Sequence, residues 1–530
     1  MGPTEDSIST AELIRTIEDY LAKHPQAAVL EDGRVVFDLR TARCTVSDSH
    51  GRCVLQLWSE ERNLVRTVIE VRERGGTLRL VTRRMGAPRP QTLELVANST
   101  RRTPTTRDSA RRNYQRLLER VLARTWPGAK VDGFRSAMDL EHSFGPAYIR
   151  GRLLHGTGAE AVIGVAAAES SAVIDGVLTL GILWLDYCRQ HSDGRRHFGG
   201  LKVVVPAGAG RTIAERMAWL NHAAANFELF TLDERSEEFA PVDFHDTGNW
   251  ESHLVHAFSH AAALERCQPG IDRLLALVPA VSRGRVEIRP RSSTEVSLLL
   301  HGLDFARVRH AASANSFASE NQLAFGAGPS ETLLTPETEP TARDLFAQLF
   351  ASRHPDGLKI DPLFRLQPER WLESRLRASF ADFLPGLRDD LLCSQVPAVS
   401  SGERGLLDLL TLDRTGRLTI LELKAEEDLH LPMQALDYWI RVRALNADRK
   451  PISSGGQPVS AFERAGYFTG TEVSPLPPRL LLVAPSLRIH PANEPVLRYL
   501  SPEVSWELIA LSEQWRSELR IVFRKRGGAA

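Results

Sequence analysis

Lysine is scarce in this chain. The 530 residues carry 66 basic side chains, of which only seven are lysine (Lys23, Lys130, Lys202, Lys359, Lys424, Lys450 and Lys525). A position that keeps lysine where arginine is the rule therefore stands out. Cysteine is also sparse: the five (Cys44, Cys53, Cys188, Cys267 and Cys393) form no CxxC pair and have no histidines at metal spacing. That excludes a zinc ribbon and a disulfide framework, and fits buried thiols in a reducing compartment. Net positive charge is missing, because 66 acids balance the bases. A protein that simply coats a nucleic-acid backbone is disfavoured; an enzyme with a local basic groove is not. Long apolar runs are missing as well. The longest, from Ala172 to Trp184, contains Asp175 and is too short to span a bilayer. The polar N-terminus MGPTEDSIST is not a signal peptide, and Asp6 breaks the myristoylation pattern. The expectation is a cytoplasmic protein with no membrane partner.

What is present is ordinary globular material, 42% apolar, in a chain long enough for three or four domains. A short amphipathic helix over 11–24 precedes strand-like segments at 34–39, 42–47, 53–59, 64–72, 77–82 and 92–96, separated by turns such as Asp32-Gly33 and Gly75-Gly76. The predicted organisation is a β-rich domain over 1–100, an α/β domain over 108–245, a helical linker with a second β-rich segment over 246–360, and an α/β domain over 361–530. The second β segment is expected from Gly284, and 311–335 as a Ser/Ala/Asn/Gly-rich loop. An arginine-heavy linker over 98–112 leads into a helix from about Ser109 to Thr125. Residues 101–124 hold Arg101, Arg102, Arg107, Arg111, Arg112, Arg116, Arg120 and Arg124 against Asp108 and Glu119. This is either a solvated face or a phosphate-contacting patch, with Arg112 and Arg116 the candidate substrate contacts.

The middle and the end of the chain repeat each other. Trp126-Pro-Gly128 and Leu384-Pro-Gly386 each follow an arginine-rich helix, 258 residues apart. A gapless shift by that offset lays Ala161–Ala166 on Thr419–Lys424. Further on, Leu185-Asp-Tyr187 matches Leu436-Asp-Tyr438, Val203–Pro206 matches Leu482–Pro485, and Phe227–Glu234 matches Trp506–Glu513. Hydrophobic pattern and prolines survive in both copies; three polar residues do not. Asp408, Glu422 and Lys424 fall on Arg150, Gly164 and Ala166. Polar residues that one copy omits are not required by the scaffold, so the first copy reads as a fold without the chemistry.

Residues 406–412 and 417–424 read as a β-hairpin turning at Asp413-Arg-Thr-Gly416. Strand alternation puts Glu422 and Lys424 on one face, with Asp408 on the neighbouring strand. Adjacent carboxylates repel unless a cation lies between them, and magnesium, a hard ion with oxygen ligands, suits such a site. The predicted ligands are Asp408, Glu422 and Leu423; Lys424 would orient a water and offset charge growing on a phosphate. Downstream, Gln434, Tyr438 and Arg441 share a helical face after Pro432 and are candidates for substrate contact. Upstream, Glu373 in Trp371-Leu-Glu373 is preferred over Glu369 as the residue completing the acidic cluster. Glu426-Glu-Asp428 reads as a solvated acidic turn.

Asp408, Glu422-Leu-Lys424 and Gln434-x-x-x-Tyr438, in that order, resemble the PD-(D/E)XK nuclease superfamily, particularly its RecB-type members with a QxxxY signature. A β-rich domain ahead of the nuclease is similar to the NucS group, but two nuclease folds in one chain is not the NucS layout, so mismatch cleavage does not carry over. The resemblance covers about 369–525. It implies an α/β (α+β) fold class with two restriction-endonuclease-like mixed-sheet domains, the first degenerate, beside small β-rich domains. It further implies Mg2+ or Mn2+ dependence and phosphodiester hydrolysis, with DNA the favoured substrate and RNA the alternative. A homodimer or a regulatory partner that gates the enzyme through the inactive copy is compatible with the same sequence.

Overall fold

A computed structural model describes residues 10–25, 27–31, 34–39, 42–48, 51–58, 63–74, 76–83, 90–96, 104–139, 142–192, 196–246, 252–312, 319–328, 331–400, 403–452 and 456–528. The chain divides into two compact units, Met1–Leu118 with Ala168–Ser170, and Glu119–Ala167 with Ser171–Ala530.

The first unit is an antiparallel sheet of seven strands, from Ala28–Glu31 to Gln91–Val96. The six predicted strands are there, and Ala28–Glu31 adds a seventh. Alternation places Cys53, Leu55 and Leu57 inward. Helix Thr10–Lys23 buries Leu13, Ile17 and Tyr20 along one stripe, and the Tyr20 hydroxyl donates to Leu95 O at 2.9 Å. The helix expected from Ser109 runs from Pro104 to Thr125; proline in a first turn lacks only an N–H that would have no helical partner there. Arg101 and Arg102 lie outside the described residues, as does the Arg107 side chain.

The second unit contains the repeat. In the first copy, strands β1 (Lys130–Arg135), β2 (Tyr148–His155), β3 (Gly158–Val165), β4 (His197–Pro206), β5 (Asn226–Leu232) and β6 (Phe239–Val242) form one sheet in sequential order. Helix α1 (Val177–Gln190) connects β3 to β4, and α2 (Arg211–Met217) connects β4 to β5. In the second copy, helix α3 (Pro368–Ala378) precedes β7 (Cys393–Ser400), β8 (Glu403–Leu412), β9 (Leu418–Leu423), helix α4 (Leu431–Ala447), β10 (Arg479–Pro485), helix α5 (Asn493–Arg498), β11 (Ser505–Leu511) and β12 (Ile521–Gly527). Each sheet has three antiparallel strands, then two parallel crossovers, then an antiparallel edge strand. The second sheet also gains Ser252–Leu254 beside β7.

The sheet register corrects the gapless alignment by one residue. Ile163 pairs with Arg150 on β2 and Val203 on β4. Glu422 pairs with Leu482 on β10, and the Leu409–Leu421 pair puts Asp408 opposite Glu422 one step along the ladder. Val203 and Leu482 each precede the matched proline by the same distance, so Glu422 and Lys424 correspond to Ile163 and Val165, not Gly164 and Ala166. The reason is the hairpin: β2 and β3 close from His155 to Gly158, whereas β8 and β9 close from Leu412 to Leu418. Arg150 keeps its correspondence with Asp408.

The two copies share one hydrophobic core, with Ile163, Leu180 and Val203 from one and Ile420, Trp439 and Leu482 from the other. Their junction is close to two-fold symmetric. Asn221 N donates to Tyr499 O and Ser501 N to Trp219 O, both at 2.8 Å, around a Leu220–Leu500 bridge. Helix α1 packs on α5 as α4 packs on α2. Ser171–Gln190 is apolar and long enough to cross a membrane by composition, but this stretch, mostly α1, lies largely buried inside the shared core. Between the copies, helix His260–Leu277 and helix Glu339–Ser352 cover a five-stranded antiparallel sheet. Its first strand begins at Glu287, after a 3-10 turn over Ala280–Arg285, and the loop expected over 311–335 contains strands Ser319–Phe325 and Thr332–Leu333.

Candidate active site

The β8–β9 hairpin is locked by its turn. The Asp413 carboxylate accepts from Thr415 N at 2.8 Å and Arg417 N at 3.0 Å, and Gly416 takes φ 81°, open to glycine at little cost. This register carries Asp408 and Glu422 to the same face of the sheet, beneath α4. Lys424 follows the end of β9, tied by its N–H to Val483 O at 3.0 Å.

Asp408 Oδ2 accepts from Leu423 N at 3.0 Å. Burial pushes its carboxyl up to about 6, against the pull of that N–H and of Arg370. Glu422 is 4% exposed, and its Oε2 is buried with no hydrogen-bond partner. Burial first, and Asp408 second, drive it well above the usual carboxylate range. The Lys424 ammonium stands 3.8 Å from Glu422 Oε1 and 3.3 Å from Asp428 Oδ2. Burial opposes its charge, but the two carboxylates outweigh that and hold it above the ordinary lysine value. Lys424 is thus a firm cation and not a base at neutral pH.

Tyr438 lies half-buried on α4; burial, Glu422 and Asp408 all raise its pKa, so it stays a neutral phenol beside the carboxylates. Gln434 sits one turn earlier on the same helix, and Arg441 acts electrostatically on Tyr438. The structure therefore gathers Asp408, Glu422, Leu423, Lys424 and Tyr438, with Gln434 and Arg441 along α4. Arg112 and Arg116 are exposed on the Pro104–Thr125 helix and belong to the first unit. Other arginines of that patch are engaged: Arg111 with Glu169 at 2.8 Å, and Arg120 with Glu237.

The two upstream glutamates have different partners. Glu373 is 2% exposed and bound by two guanidiniums, Arg289 at 2.9 Å and Arg370 at 3.1 Å, and its charge also acts on Asp408. Glu369 Oε1 instead accepts from Ala425 N at 3.4 Å, next to Lys424. Sequence reasoning also passed over Asp428, read as a solvated turn, which pairs with Lys424 and caps the chain by accepting from His430 N at 2.7 Å. It missed Arg216 of α2, which is 6% exposed and grips Asp437 through Nε at 2.8 Å and Nη2 at 2.7 Å. Asp437 adjoins Tyr438, so the first copy holds the helix that carries the second copy's site. No local pattern could have found that pair; Arg216 and Asp437 are joined only by the packing of the repeats.

Among the described residues, no group of three or more His, Cys, Asp or Glu side chains is gathered for a metal. The oxygen donors that meet at the site are the Asp408 and Glu422 carboxylates. They form a hard, all-oxygen set with one buried carboxylate oxygen left unsatisfied, which fits a divalent cation that keeps much of its water.

No protein-family model matches the chain, and no curated protein does. Among solved structures, the chain has slight similarity to protein VC1899 from Vibrio cholerae, at 12% identity and a TM-score of 0.13, over 60% of this chain and 72% of that one. It has similarly slight likeness to Can2 from Sulfobacillus thermosulfidooxidans, solved in complex with cyclic tetra-adenylate, at 9% identity and a TM-score of 0.12, over 65% and 97% of the two chains.

Proposed function

We propose that the second repeat is a metal-dependent phosphodiesterase of the PD-(D/E)XK type, acting on DNA as an endonuclease. The observation that supports this most is the Asp408–Glu422 pair, where among the described residues Glu422 Oε2 is buried with no partner and the cations acting on Asp408 are Arg370 and Lys424. A structural pair of this kind would be destabilising, and the companion repeat replaces it with Arg150 and Ile163.

Asp408, Glu422 and the Leu423 carbonyl would hold Mg2+ or Mn2+. When bound, the ion supplies Lewis acidity toward the phosphate and lowers the pKa of a water. The chain's own groups do the rest. Lys424, held as an ammonium, donates to a non-bridging phosphate oxygen and orients the attacking water. That water's oxygen forms a bond to phosphorus, one P–O ester bond breaks, the leaving oxygen takes a proton from solvent, and the water's proton is released. Tyr438, a neutral phenol, and Gln434 donate to the sugar-phosphate backbone, and Arg441 adds positive charge along the same helix.

A second reading, in which the first repeat gates the nuclease for a regulatory ligand or partner, draws support from the Arg216–Asp437 clamp on α4. The test is cleavage of supercoiled plasmid and labelled single- and double-stranded DNA and RNA in Mg2+, Mn2+ or EDTA. Metal-dependent cutting of DNA supports the proposal, cutting of RNA alone reassigns the substrate, and no cutting with either metal contradicts constitutive activity.

A further inference from the structure

The first repeat has done more than lose its carboxylates; it has reversed the charge of their position. Arg150, which occupies the place of Asp408, is fully buried, and its Nε and Nη1 have no hydrogen-bond partner. Only Nη2 is used, donating to Ala137 O at 2.8 Å. Its cross-strand partner on β1 is a second arginine, Arg135, which is exposed. Like charges directly opposite each other destabilise a sheet, and a buried guanidinium without a carboxylate is costly.

Among the described residues the nearby acids relieve it only in part: Asp139 acts on Arg150 through space, without a hydrogen bond to it. The Asp139 carboxylate is taken by His142, through its N–H at 3.1 Å and Nδ1 at 3.0 Å, and Asp132 pairs with Arg152 at 2.6 Å. Aromatic faces give partial compensation: the Arg150 guanidinium lies 4.6 Å from the Phe144 centroid, and Arg135 lies 5.4 Å from that of Trp184. Burial, and then Arg135, pull the Arg150 pKa down to about 10, which leaves it charged at neutral pH.

The tyrosine of the lost site is kept. Tyr187, the counterpart of Tyr438, stacks on the exposed His191 at 4.1 Å and on Trp184 at 5.3 Å. Among the described residues, therefore, a double positive charge with no carboxylate hydrogen-bonded to Arg150 lies beside an aromatic stack that reaches the surface. We propose that the first repeat is a phosphate site, in which Arg135 contacts and the underlying Arg150 attracts the phosphate of a nucleotide, free or within a strand, while the exposed His191, backed by Tyr187, stacks on its base. The ligand adds the directly bonded counter-charge that Asp139, acting only through space, does not supply. This site does not depend on hydrolysis by the second repeat.

The test uses the full chain in EDTA, so that binding is read without cleavage. Calorimetry with adenosine 5′-monophosphate and with adenosine, and anisotropy with labelled oligothymidylate, separate a free nucleotide from a strand. We expect adenosine to fail and at least one phosphate-bearing probe to bind. Arg135→Glu, at an exposed position that folding tolerates, should weaken that binding roughly tenfold or more. Arg150→Met should weaken it too, and Arg235→Glu, the same charge change on a distant exposed turn, should alter it by less than about twofold. Binding of the mononucleotide assigns a free nucleotide, and binding of the strand alone assigns substrate. Failure of both probes, or binding unchanged by Arg135→Glu, overturns the site whatever the nuclease assays show.

Discussion

Cutting the Arg216–Asp437 clamp should cost more from one side than from the other. Arg216 makes three charged hydrogen bonds, two to Asp437 and one from Nη1 to Asp175 O at 2.6 Å. Its side chain is 7% exposed, against 23% for Asp437. Asp437→Ala strands two buried guanidinium donors that solvent cannot reach, so about 3–5 kcal/mol should be lost. Arg216→Met leaves a carboxylate with a route to water and an apolar chain filling the same space, so the loss should be about 1–2 kcal/mol. The double variant Arg216→Met/Asp437→Leu should lose less than the sum, with a coupling of about 2 kcal/mol. Because the repeats share one core, they should melt in one calorimetric transition, with the Asp437→Ala midpoint lowered by roughly 5 °C. Equal single costs that add without coupling would refute the clamp, as would two separate transitions for the repeats.

Three further outcomes follow from the same geometry. Asp408, about 3.9 when unfolded and about 6 when folded, binds its proton more tightly in the native state. It therefore costs nothing below about pH 4, and destabilises progressively as pH rises to about 6, by up to about 3 kcal/mol above that. Thermal unfolding in EDTA should thus show Asp408→Asn more stable than wild type at pH 8 and little different at pH 4; a variant less stable at both would mark a structural carboxylate. Glu373→Gln should destabilise by roughly 1–3 kcal/mol, because Arg289 keeps Glu287 but loses its buried carboxylate partner, and conditions that restore folding should restore metal-dependent cleavage. Glu369→Gln should leave the melting midpoint within about 2 °C while lowering the cleavage rate, a split that a shared structural role for the two glutamates would not produce.

The parts of this fold written in local pattern were legible. The N-terminal strands show in turn residues and alternation, and the β8–β9 hairpin shows in Asp413-Arg-Thr-Gly416 between apolar runs. The duplication shows in equal spacings from proline to aromatic. What depends on how the chain returns to itself was not. The gapless offset missed the longer hairpin, so Glu422 was matched to Gly164 when the ladder places Ile163 there. Glu373 and Glu369 are one helical turn apart and alike in sequence; they are distinguished by the arrival of Arg289 at one and of Ala425 N at the other, each far away along the chain. Arg150 was visible as a missing aspartate, but its meaning depends on Arg135, brought opposite by a bulged register.

The central claim is that Asp408 and Glu422 hold the metal and Lys424 acts on the substrate. The direct measurement is Mn2+ binding by calorimetry together with the plasmid cleavage rate, for wild type, Glu422→Gln and Lys424→Ala. The account predicts that Glu422→Gln loses both, while Lys424→Ala binds Mn2+ and loses cleavage by roughly a hundredfold or more. Undiminished cleavage in Lys424→Ala, or Mn2+ binding unchanged in Glu422→Gln, would contradict it.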